Sequence, residues 1–282
     1  MHNLYIQPKI LWTHFIKLIK LKMRIIALAN QKGGVGKTTS VVNIGVGLAK
    51  LRYRVLLVDL DPQHSLTTSF GINLNKKQST IINVLSGEIS PKEAIIEKNN
   101  LNILPASDDL GILANKLSSS NANENILQNC LTRIGNYDFV IFDCPPNLGP
   151  LTINALNMVR EVFVPLQPEF LSLSGLKKVI DIVKYAQRNL NPKIRISGLI
   201  VTQFDRRLKL HNEVIIKLRS YFGERMFKTV IRRNISLAEA TSFGQSIFAY
   251  APESYGAMDY INLCREILKM RGNHGKEFKA KP

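Results

Sequence analysis

The stretch from Asn30 to Ser40, NQKGGVGKTTS, holds the residue types that close around a phosphate. Gly33, Gly34 and Gly36 leave out side chains where backbone N–H groups must converge on an anion. Val35 and Thr39 belong to the same cradle. Lys37 supplies a charge for β- and γ-phosphates, and Thr38 a hydroxyl for Mg²⁺. Three carboxylates suit the same chemistry. Asp143 follows four apolar residues in FVIFDCPP and reads as the acid that holds Mg²⁺ through water. Asp59 and Asp61 close the run VLLVDLD, with Asp59 a weaker candidate for the same metal. The blander readings are a glycine-rich turn with an incidental lysine, and acids that merely cap strand ends. His64 is a conceivable base, but phosphoryl transfer depends mainly on positioning and electrostatics.

These residues need a frame that brings them to one edge. The apolar run Ile25–Ala29 reads as a buried strand leading into the loop, and residues 37–51 as the helix leading out, whose N-terminus favours an anion. Further strands are predicted at Arg54–Leu60, Leu101–Pro105, Phe139–Asp143, Glu161–Pro165, Ile194–Thr202 and Phe227–Ile231. Helices are predicted at residues 172–189, 211–222, 236–243 and 254–270, with short helices over 79–98 and a surface loop at 117–125, LSSSNANEN. Continuous apolar strands alternating with helices predict an α/β fold: one doubly wound domain, a mostly parallel sheet with helices on both faces, over residues 23–270. Ligands of such sheets gather at the carboxyl ends of the strands, which places Asp59, Asp61 and Asp143 beside the loop.

The chain has 282 residues, 45% of them hydrophobic, and a formal charge of +17. That surplus suggests a polyanionic partner, nucleic acid or an anionic membrane, against the plainer reading of a generally basic surface. Cys130, Cys144 and Cys264 are scattered with no CxxC pair, which argues against a zinc site and suits reduced thiols in a cytosolic protein. Residues 1–22 carry Lys9, Lys17, Lys20 and Lys22 and no acid. They read either as a basic amphipathic helix or as an over-extended start before Met23. The basic tail at 271–282 has no apolar stripe, so a membrane anchor there is not expected.

The loop departs from GxxxxGK[ST]: Gln31 stands where a glycine belongs, and a second lysine, Lys32, precedes the glycines. This resembles the deviant Walker A motif of the ParA/MinD/nitrogenase-iron-protein superfamily. With it come VLLVDLDPQ, VIFDCPP, PLQPEFLSLSGL at 165–176, TQFDRR at 202–207 and TVIRRNISLAEATSFGQSI at 229–247. In order, these are similar to the motifs of the short, Soj-type ParA partitioning ATPases. The scattered cysteines count against the branches that share an iron–sulfur cluster. The resemblance implies ATP and Mg²⁺ as ligands and an ATP-dependent sandwich homodimer. It implies that Lys32 reaches the partner's nucleotide in trans, as an arginine finger does. It also implies that Asp61 orients the attacking water and that Pro145–Pro146 stiffen the second switch. Asn234 would contact adenine, beside Arg232, which replaces a family proline and could stack on the base. His64–Ser65 replace the usual Gly-Asn of the first switch.

Basic residues crowd the stretch from Arg206 to Arg233, with Lys209, Lys217, Arg219, Arg225 and Lys228 between them. By the same resemblance Arg207 and Arg233 bind double-stranded DNA without sequence preference, with Arg206, Lys209 and Arg219 as further candidates. Such contacts act through counterion release, and a dimer would double the patch. The expected role is a nucleoid-bound, cytoplasmic ATPase that partitions DNA with a ParB/Spo0J-type partner. The alternatives are a MinD-like membrane-associated positioning ATPase and an ATP-gated placement scaffold for another cargo.

Overall fold

A computed structural model describes residues 23–74, 78–119, 124–131, 134–170 and 172–270. The expectations for residues 1–22 and 271–282 lie outside the described residues. The strands are β1 (Arg24–Leu28), β2 (Val55–Asp59), β3 (Ile96–Lys98), β4 (Leu101–Leu104), β5 (Phe139–Asp143), β6 (Glu161–Leu166) and β7 (Arg195–Val201). They form one sheet in the order β3-β4-β2-β5-β1-β6-β7. Every pairing is parallel except β3 with β4. The helices that carry the argument are α1 (Lys37–Lys50), α2 (Ser65–Ser69), α3 (Ile81–Leu85), α4 (Pro91–Ala94), α5 (Leu110–Ser119), α6 (Ile126–Leu131), α7 (Pro150–Met158), α8 (Ser172–Asn189), α9 (Lys209–Phe222), α10 (Ile235–Ser242), α11 (Ile247–Tyr250) and α12 (Tyr255–Lys269).

Side chains alternate across a strand, so each apolar strand feeds two cores. Val55 and Leu57 of β2 and Phe139 and Ile141 of β5 join one layer with α1 and α12. Leu56, Val58, Val140 and Phe142 join the other, with α7 and α8. All five residues of β2 and of β5 are buried, as strands covered on both faces must be. The α1 helix lies unusually close to its neighbours. A Cβ at Gly47 would stand 2.6 Å from Cys264 Sγ, and one at Gly45 2.8 Å from Leu57.

Two expectations need correction. Residues 79–98 are not helical throughout. They end in β3, which folds back on β4 through Asn99 and Asn100, at φ 56° and 59°. Two successive positive φ values define the tight hairpin turn that asparagine tolerates. Phe227–Ile231 does not form a strand. It touches the sheet through isolated bridges at Leu199–Met226 and Phe204–Arg232. Between them the Lys228 and Thr229 N–H groups donate to the Glu266 carboxylate at 2.6 and 3.0 Å, so a side chain from α12 interrupts the ladder. The polar stretch at 117–125 is helical as far as Ser119, and residues 120–123 lie outside the described set.

Candidate nucleotide site

The loop after β1 is shaped by its own side chains before any ligand arrives. Asn30 is buried; its amide donates to Pro165 O at 2.7 Å and its Oδ1 accepts from Lys32 N at 3.1 Å. Gly34 and Gly36 take φ of 71° and 78°, values that favour glycine, and Gly36 caps α1. Nothing stands within 4 Å of a Cβ built at Gly33 or Gly34, so the loop's outer face is open to an approaching group. Just after β7, Thr202 Oγ1 donates to Val35 O at 2.8 Å and the Gln203 amide to Gly34 O at 2.7 Å. Sequence reasoning missed Asn30, Thr202 and Gln203 as supports of the loop. Their side chains bond backbone carbonyls far away in the chain, which no local pattern announces.

Lys37 is buried at the start of α1, and burial lowers its pKa against the pull of Asp143 and Asp61. The acids behave differently from one another. Asp59 is fully buried and already engaged: it accepts from Thr67 N, Thr67 Oγ1 and Asp61 N at 2.9, 2.8 and 3.1 Å. Burial still raises its pKa to about 6. Asp59 is thus the anchor of the loop that carries Asp61. Asp61 accepts from Gln63 N at 3.0 Å and is buried, though less deeply than Asp59. Asp143 is buried, and neither carboxylate oxygen has a well-formed hydrogen bond, the Thr38 hydroxyl being the donor that stands beside it. Its pKa is pushed far up, by burial first and the Asp59 charge second, with Thr38 and Lys37 pulling the other way.

A buried carboxylate without a partner is costly, several kcal/mol unless a cation answers it. The Thr38 hydroxyl beside Asp143 completes a hard, oxygen-only donor set. No group of three or more His, Cys, Asp or Glu side chains could ligate a metal among the described residues. Magnesium suits such a site, because it binds through one or two protein oxygens, phosphates and water. The residues present therefore fit Mg²⁺ held with a nucleotide.

Lys32 turns toward its own chain. Its Nζ donates to Gln167 Oε1 at 2.8 Å and to Glu169 Oε2 at 2.6 Å, and the next residue, Phe170, is 72% exposed. Arg232 forms a bidentate pair with Asp259, at 2.9 and 2.6 Å, and its guanidinium lies 4.1 Å from the Tyr255 ring centre. The turn that a proline ring would stiffen is held here by that pair. Asn234 caps α10 by accepting from Ser236 N. The two glycines Gly71 and Gly244, both at positive φ, bring the end of α2 against the end of α10: a Cβ at Gly244 would stand 2.9 Å from Gly71 Cα.

The Phe204–Arg232 bridge sets the two basic motifs side by side, with Arg233 N donating to Phe204 O at 2.9 Å. Arg206, Arg207 and Arg233 are exposed there. Arg207 is clamped on Asp205 at 2.9 and 2.6 Å, which holds the Asp205 carboxyl far below its usual range. Lys209 opens α9 and Arg219 sits in its last turn, roughly 15 Å further along at 1.5 Å per residue. The structure thus gathers three of the basic candidates and leaves Arg219 apart.

A glycine loop between a central parallel strand and a helix, with acids at the ends of the two strands beyond it, defines a P-loop NTPase. A family model described as an AAA domain matches residues 23–196. The chromosome-partitioning ATPase Soj of Thermus thermophilus is 41% identical over 252 residues, 89% of this chain and 98% of the relative. The chromosome partitioning protein ParA of Caulobacter vibrioides is 38% identical over 251 residues, 87% of this chain and 94% of the relative. Among solved structures, cobyrinic acid a,c-diamide synthase from Mycobacterium smegmatis with bound ADP and magnesium superposes with a TM-score of 0.77. The two are 32% identical over 93% of this chain and all of that one. The chain belongs to the ParA/Soj family of partitioning ATPases, whose ligands are ATP and Mg²⁺.

Proposed function

We propose that the protein hydrolyses ATP with Mg²⁺ as a sandwich homodimer, binds duplex DNA without sequence preference in its ATP state, and partitions a chromosome or plasmid with a ParB/Spo0J-type partner. The observation that carries the ATPase reading is the Asp143 carboxylate, buried beside Lys37 and Thr38 without a well-formed hydrogen bond. The loop N–H groups and Lys37 bind the phosphates. Asp61, on a loop pinned by Asp59, positions the attacking water. Thr38 and Asp143 would hold Mg²⁺, which supplies charge neutralisation on the phosphates. Lys32 serves the partner's nucleotide, so each chain releases it from Gln167 and Glu169 when the dimer closes. Asn234 and Arg232 flank the base.

The DNA reading is supported by the exposed Arg206, Arg207 and Arg233, and by the +17 charge of the chain. No helix among the described residues is long and apolar enough to cross a membrane. A cytoplasmic, nucleoid-bound location follows from the same reading. The test is duplex binding followed by fluorescence anisotropy, with and without a non-hydrolysable ATP analogue. The expected result is binding only with nucleotide, weakened steeply by salt and lost in Lys37→Ala. Binding that ignores both salt and nucleotide would refute the proposal.

A further inference from the structure

Two loops leave the carboxyl edge of the sheet side by side. β4 pairs in parallel with β2, Leu104 lying opposite Val58, so the chain after each strand sets out from the same place. The loop after β2 carries Asp61, and the loop after β4 runs through Asp108 into α5. Next to the sheet the two are fastened by a buried side chain. Thr67 Oγ1 donates to Asp59 at 2.8 Å, and Ala106 N donates to the same hydroxyl at 3.1 Å. Further out they touch through carbon: a Cβ at Gly111 would stand 3.6 Å from Pro62 Cβ. Asp61 immediately precedes that proline, and its charge reaches Lys37 and Asp143.

His64 makes the outermost contact. Its backbone sits at φ 41° and ψ 37°, a left-handed conformation uncommon for a residue with a side chain. That conformation closes a turn, with His64 N donating to Asp61 O at 2.8 Å. It also sets the imidazole between the two loops. Nδ1 lies 3.2 Å from Thr68 Oγ1 on the Asp61 side, and Nε2 lies 3.4 Å from Asp108 Oδ1 on the other. Both ring nitrogens are thereby in use. The imidazole is 33% exposed and the Asp108 side chain 87%, so the bridge crosses open surface and adds little to stability. What it fixes is the place of the loop.

We propose that His64 is a positioning residue for ATP hydrolysis: bridging Thr68 and Asp108, its imidazole straps the Asp61 loop to the loop after β4 and keeps the Asp61 carboxylate turned toward the phosphate loop. The proposal rests on the reading of Asp61 as the group that positions the attacking water. It assigns the imidazole no proton transfer and no contact with nucleotide or metal. His64 acts through Asp61, and Asp108 acts through His64. Attack geometry is sensitive to small displacements of the group that sets it, so a strap of little stabilising value still reaches the rate. The strength of an exposed contact sets the scale of that effect at a few-fold.

The experiment compares the full chain with His64→Asn, Asp108→Ala and the double variant in steady-state ATP turnover with Mg²⁺. Asparagine tolerates the left-handed backbone but is too short to span Thr68 and Asp108, and an unchanged melting midpoint confirms the fold. The expected result is a kcat lowered about threefold in Asp108→Ala and about fivefold in His64→Asn, with KM for ATP unchanged. The double variant should fall no lower than His64→Asn, since Asp108 works only through the ring. Amide hydrogen exchange over residues 59–70 should quicken in both single variants. An unchanged kcat in His64→Asn overturns the proposal, and so do a raised KM at unchanged kcat and two effects that multiply in the double variant. Unchanged hydrogen exchange removes the strap itself, whatever the rates. A wild-type chain without turnover is a different failure: the ATPase reading falls and the positioning role with it, while hydrogen exchange still decides whether the strap exists.

Discussion

The two ends of one sheet handle charge in opposite ways. At the carboxyl end, three aspartates stand close together and two of them are raised in pKa, so this edge crowds buried carboxyls that a proton or a cation relieves. At the amino end, the buried acid Glu161 is fully paired with Arg24. The same strands supply both edges. What differs is whether the buried carboxylate has a partner of its own. Glu161 has one and reads as architecture. Asp143 has no carboxylate hydrogen bond of that kind, only the Thr38 hydroxyl and the Lys37 charge nearby, and reads as a site.

The comparison can be broken most severely at Lys37. Lys37→Ala removes the cation of the carboxyl edge and is expected to cut nucleotide affinity on the order of 100-fold, with ATP turnover lost, read by calorimetry and phosphate release. Asp143→Asn should give effects of opposite sign. Mg²⁺-dependent turnover is expected to fall by roughly 100-fold, while the apo melting temperature falls less than that of the wild type as pH rises, because the folded state no longer has this buried carboxyl to deprotonate. Arg24→Leu tests the other edge: it leaves Glu161 buried and alone, and a destabilisation of about 3–5 kcal/mol is expected in denaturant titration.

A pH titration sharpens the contrast further. The folded pKa of Asp59, about 6, lies above its unfolded value of 3.8. Between those values the folded chain holds a proton that the unfolded chain has released. The Asp59 contribution to the stability of the apo protein should therefore fall as pH rises through this window and level off above it. Asp59→Asn should flatten that part of the melting curve. The smallest effect is expected from Glu169→Gln. Lys32 and Glu169 are 35% and 45% exposed, so loosening them should change stability by less than about 1 kcal/mol. The readout is the nucleotide concentration needed for dimerisation in analytical ultracentrifugation, which should fall if this pair restrains Lys32.

The sequence made the centre of the fold legible and the margins less so. The central strands β1, β2, β5 and β6 are continuous apolar runs, and the loop between β1 and α1 has a spacing that little else produces. Failures came where a side chain from elsewhere took over a backbone group. Glu266 claims the Lys228 and Thr229 N–H groups, so only Phe227 N and Ile231 N at the ends of the segment reach β7. The Asn99–Asn100 turn was readable as a hairpin signal, but two short strands of mixed polarity hid it. At the site, Lys37 and the aspartates could be placed from strand ends alone. That Asp59 is fully engaged while Asp143 is not depends on Thr67 folding back, which spacing does not show. The pairing of Arg232 with Asp259 is likewise a contact between distant segments.

Gly71 and Gly244 meet backbone to backbone. Side chains can rotate out of the way of a moving neighbour, whereas main chain cannot. When the segment following Asp61 shifts, the turn after α10 has to travel with it, and Asn234 caps the other end of α10. The loop that carries Asp61 and the helix that Asn234 caps are in this way geared together, and a single methyl group added at Gly244 would strip the gear.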